Sequence, residues 1–119
     1  MNWYLAKLVF RILCGDGNHS AQFDEQLRLV AASSKEEAYQ KAQSLGRNGE
    51  EMFFNNKEQL VQWQFIGISD LYRLNELIDG AELYSRIEEK DNAEAYILQV
   101  QSRAANILYG NSHELLNLA

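Results

Sequence analysis

A run of strict alternation near the start of this chain leaves few folds open to it. Tyr4, Ala6, Leu8, Phe10, Ile12 and Cys14 share one face of an extended segment. Trp3, Leu5, Lys7, Val9, Arg11 and Leu13 share the other. Period two with one wholly apolar face predicts a strand covered on one side. Gly15-Asp16-Gly17-Asn18-His19-Ser20 then breaks the pattern with residues that tolerate positive φ. A second alternating run covers 22–32, with Phe23, Leu27, Leu29 and Ala31 opposed to Gln22, Asp24, Gln26 and Arg28. Strand, glycine-rich turn and strand read as a β-hairpin.

A helix is expected next. Ser33 and Ser34 are N-cap residues with Glu36 and Glu37 as capping-box partners, and Gly46 fits the C′ position. Ala38, Ala42 and Leu45 recur at helical spacing, and the small alanines let such a helix lie close on a sheet. Residues 47–57 read as a long connection carrying Met52-Phe53-Phe54 as an apolar plug. A third strand is expected over 60–68, with Val61, Trp63 and Phe65 on one side and Gly67 marking a bulge or a close approach. Ser69–Ile78 fits either a helical turn or a strand running on to Leu71. A fourth strand is expected over 82–89, with Leu83, Ser85 and Ile87 facing in. Asp91 or Asn92 then caps a long helix whose stripe is Ala93, Tyr96, Ile97, Val100, Ala104, Ile107 and Leu108, ended by Gly110. The tail, residues 111–119, is expected to form a short terminal helix. The class is α+β: a four-stranded, mainly antiparallel sheet with two helices packed on one face, in ββαββα order.

Composition sets the broad class. A chain of 119 residues, 46% hydrophobic, suits a single domain over 1–119 with no need of a disulfide or metal staple. One cysteine, Cys14, cannot pair within the chain and reads as a reduced, buried thiol. No secretory pattern opens the sequence and no apolar run reaches membrane-spanning length, so a cytoplasmic protein without a membrane partner is expected. The net charge of −6 disfavours nucleic acid. That charge is not spread evenly. Residues 1–57 hold seven basic and seven acidic side chains, so the whole excess lies in 58–119.

Several stretches taken together are familiar: Trp3-Tyr4-Leu5-Ala6-Lys7, Cys14-Gly15, His19, Gln22 to Arg28, Ala38 with Lys41 and Ala42, Trp63-x-Phe65-x-Gly67, and Asp79 to Leu83. In this order they make the chain, up to about residue 105, resemble a bacterial family of small proteins known as a domain of unknown function. The resemblance implies a single bacterial cytoplasmic domain and carries over no activity and no catalytic residue.

Three constellations invite a functional reading. Asp16, His19 and Asp24 lie around the hairpin loop, where acids and an imidazole can hold a metal or move a proton. Their spacing matches no calcium loop, since positions six and twelve from Asp16 are Ala21 and Leu27. A turn whose Asp and Asn bond their own backbone is the favoured reading, and no cofactor is expected. Trp3, Leu5, Val9 and Leu13 lie on the second face of the first strand, where helices on the opposite side leave them uncovered. Such a strip marks a partner surface unless the 47–57 connection and the leucine-bearing tail fold over it. Glu82, Glu88 and Glu89 lie on the expected fourth strand, as a solvated edge or as an acidic patch that steers a partner. The expectation is a non-enzymatic module that binds protein or regulates, self-associating as a homodimer through the open sheet face or edge. The alternatives are a small enzyme or ligand-binding domain with a pocket at the hairpin loop, and a toxin-neutralising protein of the immunity type.

Overall fold

A computed structural model describes residues 1–109 of the chain. The elements are β1 (Asn2–Cys14), β2 (Gln22–Ala32), α1 (Lys35–Asn48), β3 (Glu51–Phe54), β4 (Leu60–Leu74) and α2 (Ala93–Tyr109). The order is ββαββα, and the strands make one four-stranded antiparallel sheet in the order β2-β1-β4-β3. Two compact units divide between Ser85 and Arg86. The first holds the whole sheet and α1. The second holds α2. The expected end of that helix at Gly110 and the expected short helix over 111–119 lie outside the described residues.

The alternation of β1 becomes a core on one face. Tyr4, Ala6, Leu8 and Phe10 are buried there with Val30 and Ala32 of β2 and with Ala38 and Ala42 of α1. Phe10 and Leu8 are the largest fully buried side chains. Each contributes about 1.5–3 kcal/mol by leaving water. Alanines at 38 and 42 place no bulk between helix and strands, so α1 settles directly on β1, β2 and β4. This covered side is the inner face.

The start of α1 is as the sequence indicates. Ser34 Oγ accepts from the Glu37 N–H, and the Glu37 carboxylate accepts from the Ser33 N–H. Its end is not. The helix continues through Gly46 to Asn48, and Gly49 is the C-cap. Gly46 is there for clearance: a Cβ at this position would lie 2.3 Å from the Phe65 ring. That ring is needed where it is, tilted against Phe10 with centroids 5.5 Å apart.

Three strand expectations are corrected. Met52-Phe53-Phe54 is not a plug in a loop but most of β3, whose residues Glu51–Phe54 pair with Leu60–Trp63. Asn55 builds the turn between them, its Oδ1 accepting from the Lys57 and Gln59 N–H groups. The 60–68 strand is longer than expected and runs to Leu74, settling Ser69–Ile78 as strand for its first half. Residues 82–89 form no strand, and Ile87, expected to face in, is almost wholly exposed. The 60–74 strand already fills the place beside β1, and Arg86, Glu88 and Lys90 satisfy one another locally. Gly67 does mark a bulge: the β1–β4 register shifts between Val9 and Phe10, and again between Lys7 and Leu8.

In the second unit, Asn92 rather than Asp91 caps α2, its Oδ1 accepting from the Ala95 N–H. The Lys90 ammonium sits 5.0 Å from the Tyr96 ring centroid. No residue of α2 is buried. No helix among the described residues is long and apolar enough to cross a membrane.

Candidate functional site

Pairing decides which side chains share the outer face, opposite α1. Trp3 lies opposite Ala31, Leu5 opposite Leu29, Lys7 opposite Leu27, Val9 opposite Glu25 and Arg11 opposite Phe23. The apolar side of β2 therefore looks outward with the mixed side of β1. Trp3 is 42% exposed, Leu29 49%, Leu27 54% and Phe23 53%. Leu29, Leu27 and Phe23 form an apolar row along β2, the outermost strand on its side of the sheet, with Glu25 between the last two and Trp3 of β1 beside its end. The Lys7 ammonium crosses this row to the Glu25 carboxylate at 3.3 Å.

The strip expected from β1 alone is corrected in part. Leu5 is only 4% exposed, so it offers nothing to a partner. Val9 and Leu13 are half-buried, and Lys7 and Arg11 separate them from Trp3 and from each other. The 47–57 connection does not fold over this face, since its residues 51–54 pair with β4 within the sheet, and the leucine-bearing tail lies outside the described residues. Leu5 lies opposite Tyr72 of β4, and Tyr84 meets the Tyr72 ring edge-on at 5.6 Å. Residues 75–85 thus turn back over the β4 side of the outer face. Partial desolvation, and then the Asp70 carboxylate, push the Tyr72 phenol above its ordinary value.

The loop residues Asp16, His19 and Asp24 do not converge. Asp16 Oδ1 accepts from the Asn18 N–H, an Asx turn. His19 spends both ring nitrogens on the backbone. Nε2 accepts from the Cys14 N–H at 3.1 Å, and Nδ1 lies 2.8 Å from the Ser20 carbonyl. An imidazole carrying its proton on Nδ1 satisfies both. Asp24 is on the inner face of β2, where its carboxylate accepts from the Trp63 indole N–H and the Gln26 amide. Gly15 opens the turn at φ 62°, a conformation that favours glycine. Cys14, expected to be buried, is half-buried among amides: its thiol donates to Gln59 Oε1, and Asn55 lies near the sulfur. No group of three or more His, Cys, Asp or Glu placed to hold a metal ion occurs among the described residues.

With strand order and outer face in hand, the chain can be set against known proteins. The model of a family described as Domain of unknown function (DUF4288) matches residues 3–85. The chain belongs to this family. The match ends where the first compact unit ends, so it spans the sheet, α1 and the returning segment of this chain. Comparison with curated proteins and with solved structures finds no match.

The acidic residues named from the sequence do not share a strand edge. Glu82 belongs to the first unit, and Glu88 and Glu89 to the second. Glu88 pairs with Arg86 and with Lys90, and those cations hold its carboxyl below the ordinary range, Lys90 first. The residues that sequence reasoning missed are Phe23, Leu27 and Leu29. Their shared face was visible. What was missing was the parity of the hairpin, which decides whether that face looks toward α1 or away.

Proposed function

We propose that the protein is a protein-binding module and that its contact surface is the outer sheet face along β2. One observation carries this reading: Trp3, Phe23, Leu27 and Leu29 stand exposed in a row on the face opposite α1. Exposed apolar side chains arranged contiguously are costly to leave in water and mark contact surfaces far more often than scattered ones do. Lys7 and Glu25 within the row give a partner a polar register mark. Asp16, His19 and Asp24 do not form a competing pocket, because they do not converge: the first two hold the hairpin turn, and Asp24 bonds Trp63 and Gln26 on the inner face of β2.

A photo-crosslinking side chain placed at Leu27 in the full chain, in its native cells, tests the reading. The same probe at Glu36, exposed on α1, is the control. A discrete protein adduct from Leu27 and none from Glu36 is expected. No adduct from Leu27, or equal adducts from both sites, would remove the outer face as the contact surface.

A further inference from the structure

Among the described residues, the edge of β2 is open along a stretch whose backbone polarity can be read from the contacts around it. In an antiparallel sheet, alternate residues turn both backbone groups toward one neighbour and the next residues toward the other. Gly15 donates its N–H to the Leu60 carbonyl, so odd-numbered residues of β1 bond toward β4 and even-numbered ones toward β2. By the register of the pair, the even residues of β2 bond inward to β1. The odd ones, Phe23, Glu25, Leu27 and Leu29, turn N–H and C=O outward. Ala31 agrees: its carbonyl points off the sheet and accepts the Lys41 ammonium of α1 at 2.6 Å. Lys41 thus closes one end of the edge. The open stretch is Gln22–Val30, and its midpoint is Gln26.

We propose that this stretch pairs with the same stretch of a second copy of the chain, antiparallel, about a two-fold axis at Gln26. The proposal rests on the reading of the β2 surface as a contact site and names its occupant. Charge selects both the copy and the register. A two-fold at Gln26 sets Asp24 directly opposite Arg28 of the second copy, twice per dimer, on the inner face. In the single chain these two groups are linked only through Gln26, whose amide donates to Asp24 and accepts from Arg28. The axis also sets Phe23 opposite Leu29 of the second copy on the outer face, joining the two apolar rows. It brings outward residue against outward residue, Glu25 to Leu27 and Phe23 to Leu29, as a hydrogen-bonded ladder requires. Moving the axis by one residue toward either end, to Glu25 or to Leu27, leaves Asp24 opposite Gln26 or Val30 and loses the ion pairs. Closed two-fold pairing ends with two copies, because each molecule has one such edge to give.

The test is a concentration series of the full chain by light scattering, with two charge-reversed variants. The wild-type chain is expected to approach twice the chain mass. Asp24→Arg alone, and Arg28→Asp alone, each set like charges opposite each other twice and should weaken the dimer by about tenfold or more. An equimolar mixture of the two variants restores opposite charges at both pairs and should recover the dimer as a heterodimer. Amide exchange supplies an independent reading. The N–H groups of Phe23, Glu25, Leu27 and Leu29 should exchange more slowly as concentration rises, while those of Asp24, Gln26 and Arg28, held by β1, stay constant and report intact folding of each variant. A chain monomeric at every concentration, single variants that dimerise like the wild type, or a mixture that fails to recover, would each overturn the pairing. A monomeric chain whose Leu27 probe still captures another protein would overturn this inference alone and leave the protein-binding reading standing.

Discussion

The two faces of this sheet are built from the same strands by opposite means. On the inner face, α1 brings alanines against Leu8 and Phe10, and the seal is tight enough that Gly46 cannot carry a side chain. On the outer face, the returning segment reaches only the β4 side, where Tyr84 meets Tyr72 and Leu5 is shielded. The β2 side keeps Phe23, Leu27 and Leu29 exposed. The lesson is that apolar content alone does not make a core. Burial goes to the side chains that a helix with small residues can approach, and an apolar row on the opposite face stays exposed.

The largest effect should separate the faces outright. Phe10→Ala on the inner face is expected to cost about 3–5 kcal/mol in urea unfolding. Leu27→Ala on the outer face, measured on dilute protein, should cost less than about 0.5 kcal/mol. Similar losses from the two would mean that the outer row is core and not surface.

Gly46→Ala sharpens the same contrast. Alanine favours a helix, yet its methyl would collide with the Phe65 ring, so a net loss of about 1–3 kcal/mol is expected. A gain in stability would show that the inner seal yields easily. Ser34→Ala removes the cap that starts α1 and should cost about 1 kcal/mol, read as a shift in the unfolding midpoint.

The smallest effect is electrostatic. The Ser33 N–H, with Lys41 adding to it, holds the Glu37 carboxyl below its ordinary value. A depressed carboxyl stabilises the folded state above its unfolded pKa, and that contribution is lost as pH falls through the folded one. Stability should therefore decline in the acid range less steeply for Glu37→Gln than for the wild type. Identical acid limbs for the two would show that the capping carboxylate adds nothing to the hold of α1 on the inner face.

Much of this was legible in the chain. The alternation of residues 3–14, a cap at Ser33 or Ser34, a cap at Asp91 or Asn92, and an irregularity at Gly67 each follow from local chemistry that a few neighbouring residues decide, and the structure chooses Ser34, Asn92 and a bulge. The ββαββα order matches as well, although its second pair of strands is 51–54 with 60–74 rather than 60–68 with 82–89. The errors lie where a local pattern had two solutions. Residues 82–89 alternate well enough for a strand, but 51–54 lie closer in sequence to the 60–74 strand and pair with it through the turn that Asn55 stabilises. Gly46 reads as a stop signal because glycine usually ends helices, and no local rule shows the Phe65 ring above it.

The candidate surface divides the same way. That Phe23, Leu27 and Leu29 share a side of one strand follows from their spacing, because period two is a property of the strand alone. That this side looks away from α1, that β2 is outermost, and that Lys41 closes the edge at Ala31 all depend on the packed sheet and helix. The physical reason is parity. The turn over 15–21 fixes the register of β2 on β1, and a slip of one residue would exchange its two faces, leaving Gln26 and Arg28 outward and the apolar row beneath the helix.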